Sequence, residues 1–214
     1  MGESCIRAGR SCDSVRLVAV SKTHGPDMVR EAYDEGLRVF GENYAREAAS
    51  KADALADLPG IEWHFIGHLQ RNKVRLVVER TTVIESVDSE PLVLEISRKA
   101  SALGKSVDIL VEVNVGREPQ KGGVDPDRAG DLVALALETP SIRCRGLMVV
   151  PPFDLEPGEA RPWFSGLREL RDRLGGPAVL PDLSMGMSAD YIVAIEEGST
   201  IVRIGTAIFG PRLT

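Results

Sequence analysis

Short apolar runs alternate along this chain with longer amphipathic stretches, regularly enough to predict eight strand–helix units. Strands are predicted over 15–22, 37–43, 61–67, 81–87, 107–114, 142–150, 182–188 and 200–205. Helices are predicted over 27–36, 44–58, 72–79, 90–103, 127–138, 159–174 and 191–197, with a last helical turn at 206–209. Breakers stand where this scheme needs them: Gly25-Pro26, Pro59-Gly60, Pro140 and Pro151-Pro152. Trp163, Phe164, Leu167 and Leu170 form the apolar side of the longest helix, and Met28, Ala32 and Tyr33 share a face of the first. A Gly-rich loop is expected over 115–124 and a shorter one over 154–157.

Eight such units in 214 residues point to an α/β fold, a single (β/α)8 TIM barrel. An open doubly wound sheet is the alternative, but it would usually carry a Gly-rich turn after its first strand. Here that strand ends in Ser21-Lys22-Thr23-His24. Residues 1–214 are therefore read as one domain, without linker or repeat. A net charge of -6 argues against nucleic acid as the main partner. No apolar run approaches the ~18 residues of a membrane span, and the first residues lack a signal-peptide core. Cys5, Cys12 and Cys144 are odd in number and lack metal-ligand spacing, which suits a reducing cytoplasm.

A barrel of this kind presents its chemistry at the C-terminal ends of its strands. Those ends carry Lys22, Asn43, His64 with Gly67, Ser86, Asn114, Met148, Ser184 to Ser188, and Arg203 to Thr206. Lys22 closes a buried strand, where lost hydration favours the neutral amine that forms a Schiff base with an aldehyde. The loops after strands seven and eight, with Ser184, Gly186, Ser188, Gly205 and Thr206, are where barrels often bind phosphate. Side chains alternate along a strand, so Arg203 shares a face with Gly205 and points one layer deeper, with an ion pair to Glu112 as the purely structural alternative. An amine, a phosphate cup and a buried guanidinium together suggest pyridoxal 5'-phosphate (PLP). His64 and His68 fall on a strand and its loop rather than one helix face, so metal is not expected there. Arg71, Lys73 and Arg75 read as a solvated helix start, and Cys144 as buried beneath strand six.

The runs LVAVSKTH, FGENYAREAASKA, WHFIGHLQRNKVR, VEVNVGREPQKGGV, RGLMVVP and LSMGMSADYIVAIEEGSTIVRIGTAIFG resemble those of the YggS/PROSC family of PLP-binding proteins, the PLP homeostasis proteins. The resemblance covers about 15–212 and implies a fold-type III barrel like the N-terminal domain of alanine racemase. It assigns Lys22 as the Schiff-base lysine and Asn43, Met148, Ser184, Arg203, Gly205 and Thr206 as cofactor contacts. Arg203 would face the pyridine nitrogen, and Ser184, Gly205 and Thr206 the phosphate; Lys121 lies in a family motif without an assigned role. About 14 residues precede the first strand, where relatives usually carry a longer helix, so closure of the barrel bottom is the expected departure.

Three functions use the same lysine. The leading one is a monomeric PLP carrier without strong catalysis, which buffers the cofactor or hands it to PLP-dependent apo-enzymes. A small PLP-dependent amino-acid racemase is the alternative, and a cofactor-free Schiff-base aldolase ranks third. Two-base racemisation needs a second proton carrier. Tyr33, Tyr44 and Tyr191 are all predicted in helices, and no second domain is expected to supply one.

Overall fold

In a computed structural model of the chain, which describes residues 1–152 and 155–211, eight parallel strands close on themselves in sequence order. The strands are β1 (Arg16–Val20), β2 (Val39–Glu42), β3 (Glu62–Phe65), β4 (Val83–Val87), β5 (Val107–Glu112), β6 (Ile142–Met148), β7 (Asp182–Ser184) and β8 (Ile201–Ile204). Closure is made by β1 lying beside β8, with Val18 opposite Arg203. The helices are α1 (Gly2–Arg7), α2 (Pro26–Asp34), α3 (Ala45–Ala54), α4 (Val74–Val78), α5 (Glu90–Ala102), α6 (Ala129–Glu138), α7 (Arg161–Arg173), α8 (Tyr191–Glu196) and α9 (Thr206–Phe209). The TIM barrel expected from the alternation is therefore the fold.

Alternation along each strand separates two cores. Outward residues such as Ala19, Phe40 and Trp63 pack under the helices, whereas Val18, Val83, Leu110, Met148 and Ile201 fill the barrel interior. Each predicted strand is present but shorter: β4 starts two residues later, at Val83, and in the other seven the last residues of the run leave the ladder to shape the loops above it. The seventh shows this most: only Asp182–Ser184 pair, and Gly186, at φ +96°, turns the chain toward α8. The loop predicted over 154–157 begins outside the described residues.

The short amino end closes one side of the barrel. In α1, Cys5 is buried with Val15, Ile195, Val202 and Ile204. Arg10 then donates to the carbonyl oxygens of Ile195 and Ser199 at 3.1 and 2.7 Å, tying the segment to the end of α8. Sequence periodicity did not predict α1, since six residues are too few to show a helical period.

Candidate functional site

At the C-terminal mouth of the barrel lies a cavity of roughly 320 Å³, lined among others by Lys22, Asn43, Val150, Ser188, Arg203, Gly205 and Thr206. Five of the seven residues singled out above, Lys22, Asn43, Arg203, Gly205 and Thr206, thus share one wall system.

Lys22 is half-buried in the turn after β1. That turn is held from below by a buried ionic cluster. Lys51 donates to Glu42 Oε1 and to the Ser21 carbonyl at 2.6 Å each, and to Glu47 Oε1 at 2.7 Å. The Ser21 hydroxyl donates to Glu42 Oε1 at 2.6 Å, and the Thr23 amide to Glu47 Oε1 at 2.6 Å. Thr23 sits at φ +68°, a strained angle for a β-branched residue that these bonds stabilise. Burial pushes the Glu42 carboxyl up, and the Lys51 ammonium opposes that rise.

Opposite Lys22, Gly205 opens α9. A methyl group there would stand 3.3 Å from the Val20 carbonyl oxygen, so glycine lets the start of α9 settle over the end of β1. The Gly205 amide donates to the Ser188 hydroxyl at 3.3 Å. The loop before it is braced by Asp190, which accepts from the Met187 amide at 2.6 Å. Burial raises the Asp190 carboxyl, while that amide and Arg203 pull it back.

Arg203 and Gly205 do share an inward face, as period two requires, and Arg203 is only 4% exposed. Its partner is not Glu112. Nη1 donates to Ser184 Oγ at 2.5 Å and lies 3.9 Å from Glu85 Oε2, while Nη2 donates to the Val149 carbonyl at 2.8 Å. Glu85 in turn accepts from Ser184 Oγ at 2.5 Å and pairs with His64 Nδ1 at 2.5 Å, all of these side chains being buried. Burial alone would raise Glu85, but His64, Arg203 and Ser184 hold its carboxyl below the usual range. Burial lowers the Arg203 guanidinium, and Glu85, Glu112 and Asp190 counter it. Glu112 is pushed up to about 7 by burial and by the Asp88 carboxylate.

Two of the singled-out residues sit elsewhere. Ser184 is fully buried behind Arg203 with its hydroxyl already engaged, and the hydroxyl that lines the cavity from this loop is Ser188. Met148 is 1% exposed within the barrel interior, and Val150, two residues on and on the same face, lines the cavity instead. Both residues close their strands, β6 and β7, and the cavity opens one layer above them. Asn114 and Ser86 are spent on loops: Asn114 clamps Glu118 at 2.8 and 3.0 Å, and Ser86 donates to the Gly67 carbonyl at 2.5 Å. Lys121 pairs with Glu118 at 2.9 Å and donates to the Val150 carbonyl at 3.3 Å, lining an adjoining cavity of roughly 390 Å³. Among the described residues, Asn43 Oδ1 is buried without a hydrogen-bond partner, leaving a free acceptor at the main cavity.

Glu85 was not read as a site residue. The signal for Glu85 was present: a carboxylate inside a strand whose five residues are all buried needs a partner.

The alanine racemase N-terminal domain family matches residues 6–212. A pyridoxal phosphate homeostasis protein of Aquifex aeolicus (strain VF5) is 48% identical over 212 residues, covering 98% of this chain and 92% of the relative. The counterpart of the same name from Pseudomonas aeruginosa is 43% identical over 210 residues, covering 98% and 90%. The solved structure of PipY of Synechococcus elongatus PCC7942 with PLP bound superposes with a TM-score of 0.87 at 38% identity, covering 97% of this chain and 98% of that one. An alanine racemase from Streptomyces coelicolor A3(2), at 20% identity and a TM-score of 0.77, covers 97% of this chain and 56% of its own, and shares the fold. The chain belongs to the alanine racemase N-terminal domain family and, within it, to the pyridoxal phosphate homeostasis proteins.

Proposed function

We propose that this protein binds PLP at the barrel mouth and serves PLP homeostasis, holding the cofactor on Lys22 without strong catalysis. The observation that carries this reading is one cavity lined at once by the Lys22 amine, the buried Arg203 and the Gly205–Thr206 turn. The residues fit the group. Bound PLP supplies an aldehyde that condenses with amines. Lys22 offers the amine for a Schiff base. Arg203 faces the pyridine nitrogen, its position as a donor favouring an unprotonated ring. Ser188, the Gly205 turn and Thr206, with first-turn amides that a helix leaves unpaired, receive the phosphate. Ser184 acts from behind Arg203, Met148 packs beneath the cofactor's layer, and the Asn43 acceptor stands ready for a ligand donor.

The carrier reading is favoured over a racemase by the positions of the tyrosines. Tyr33 donates to the Pro59 carbonyl at 2.7 Å on the outside of the barrel, and Tyr44 is 57% exposed and does not line the cavity. Tyr191 opens α8 and packs with the α1 cluster. Among the described residues no tyrosine lines the Lys22 cavity as a second proton carrier. The whole chain, 1–214, is the PLP-binding unit, acting as a cytoplasmic monomer whose partners are PLP and PLP-dependent apo-enzymes. Absorbance titration of the purified protein with PLP, beside assays for amino-acid racemisation and for transfer to an apo-enzyme, tests this. Micromolar binding with transfer and without racemisation supports the reading; a protein that holds no PLP at micromolar levels, or that racemises rapidly, overturns it.

A further inference from the structure

Arg203 is placed by a chain of buried groups reaching across the barrel from β8 through β7 and β4 to β3. Its two terminal nitrogens are committed in different directions, Nη1 to Ser184 Oγ at 2.5 Å and Nη2 to the Val149 carbonyl at 2.8 Å, which fixes the guanidinium plane. The direction of the Ser184 proton follows from chemistry. An ionised Glu85 accepts only, so Ser184 donates to Glu85 and must receive from Arg203. His64 Nδ1 holds the other Glu85 oxygen at 2.5 Å. Among the described residues, His64 Nε2 is buried without a partner, an unsatisfied atom retained in an otherwise fully engaged group.

We propose that Glu85, oriented by His64 and acting through the Ser184 hydroxyl, is the positioning residue that aims Arg203 at the ring nitrogen of PLP. This rests on the proposed function and adds a cause for it. The Glu85 charge, 3.9 Å away, keeps the buried guanidinium from standing as an isolated cation, and the Ser184 bond turns its remaining N–H groups toward the cavity. Loss of either relay member leaves Arg203 in place but free to rotate toward Glu112 or Asp190, the other carboxylates whose fields it feels.

The test uses the full chain and two probes: PLP, and the analogue in which a ring CH replaces the pyridine nitrogen. Unaltered protein is expected to prefer PLP by about tenfold or more, the worth of one hydrogen bond to a charged group. In Ser184→Ala and in Glu85→Gln, PLP affinity falls about tenfold, analogue affinity is unchanged, and the visible absorption maximum of the bound form moves. Ser184→Thr, which keeps the hydroxyl, retains the preference. Variants that bind both probes as the unaltered protein does, or lose both equally, overturn the positioning role while leaving the proposed function intact. Failure of the unaltered chain to take PLP overturns both.

Discussion

The ammonium of Lys51 lies 2.6 Å from a carboxylate oxygen of Glu42, and both side chains are buried under the turn that carries Lys22. Neither residue lines the cavity, yet they fix the Ser21 carbonyl and hydroxyl and so the direction in which the chain leaves β1. Replacing Lys51 by Met strands the Glu42 charge in the interior. Urea unfolding is expected to show a loss of about 3–5 kcal/mol. The double variant Glu42→Leu with Lys51→Met recovers most of that stability but not the Lys22 geometry, so its PLP affinity stays low.

Glu112 gives a pH dependence of definite sign. Its carboxyl rises from 4.5 to about 7 on folding, so between those values the native state binds more protons than the unfolded chain. Stability from this group is therefore present at acid pH and lost as pH rises through about 7, by on the order of 3 kcal/mol. Glu112→Gln removes that slope, and denaturant unfolding at pH values either side of the window is expected to show the variant gaining on the unaltered protein as pH increases.

A methyl group on Gly67 would stand 2.3 Å from the Asn43 carbonyl oxygen and 2.7 Å from its Cα. Both are backbone atoms, so neither can swing aside. Gly67→Ala is expected to cost about 1–3 kcal/mol in thermal unfolding and to displace the Asn43 acceptor from the cavity, weakening PLP binding. Gly158→Ala, where an added methyl meets nothing within 4 Å, serves as the control and should change stability by less than about 0.5 kcal/mol.

Thiol labelling reads the packing of the amino end. Cys12 is exposed, whereas Cys5 and Cys144 are buried. Burial raises both inner thiols, Cys144 to about 11, which suppresses the reactive thiolate. One thiol should react quickly in native protein and all three in denaturant. Fast native labelling of Cys5 would contradict the docking of α1 on the barrel.

Much of the fold was legible because eight apolar runs, each closed by a Gly, Pro or polar turn, leave few arrangements for a parallel sheet. Lys22 and Gly205 stand just beyond a strand and Arg203 lies inside β8, two residues before Gly205, so period two and the barrel's polarity give their directions. Ser184 and Met148 do end their strands, as read, but a run of residues does not disclose that the cavity opens one layer above, on Ser188 and Val150. The Glu85–His64 and Lys51–Glu42 pairs lie 21 and 9 residues apart, and the pairing of β3 with β4 and the docking of α3 bring them together. Polar residues in buried strands advertise that a partner exists without naming it.

Borohydride reduction of the PLP-loaded protein, followed by peptide mass spectrometry, is the most direct test of the central claim. The pyridoxyl-phosphate adduct is expected on the peptide containing Lys22, and to vanish in Lys22→Ala while that variant keeps its melting cooperativity. An adduct on another lysine, or undiminished labelling in Lys22→Ala, would contradict the account.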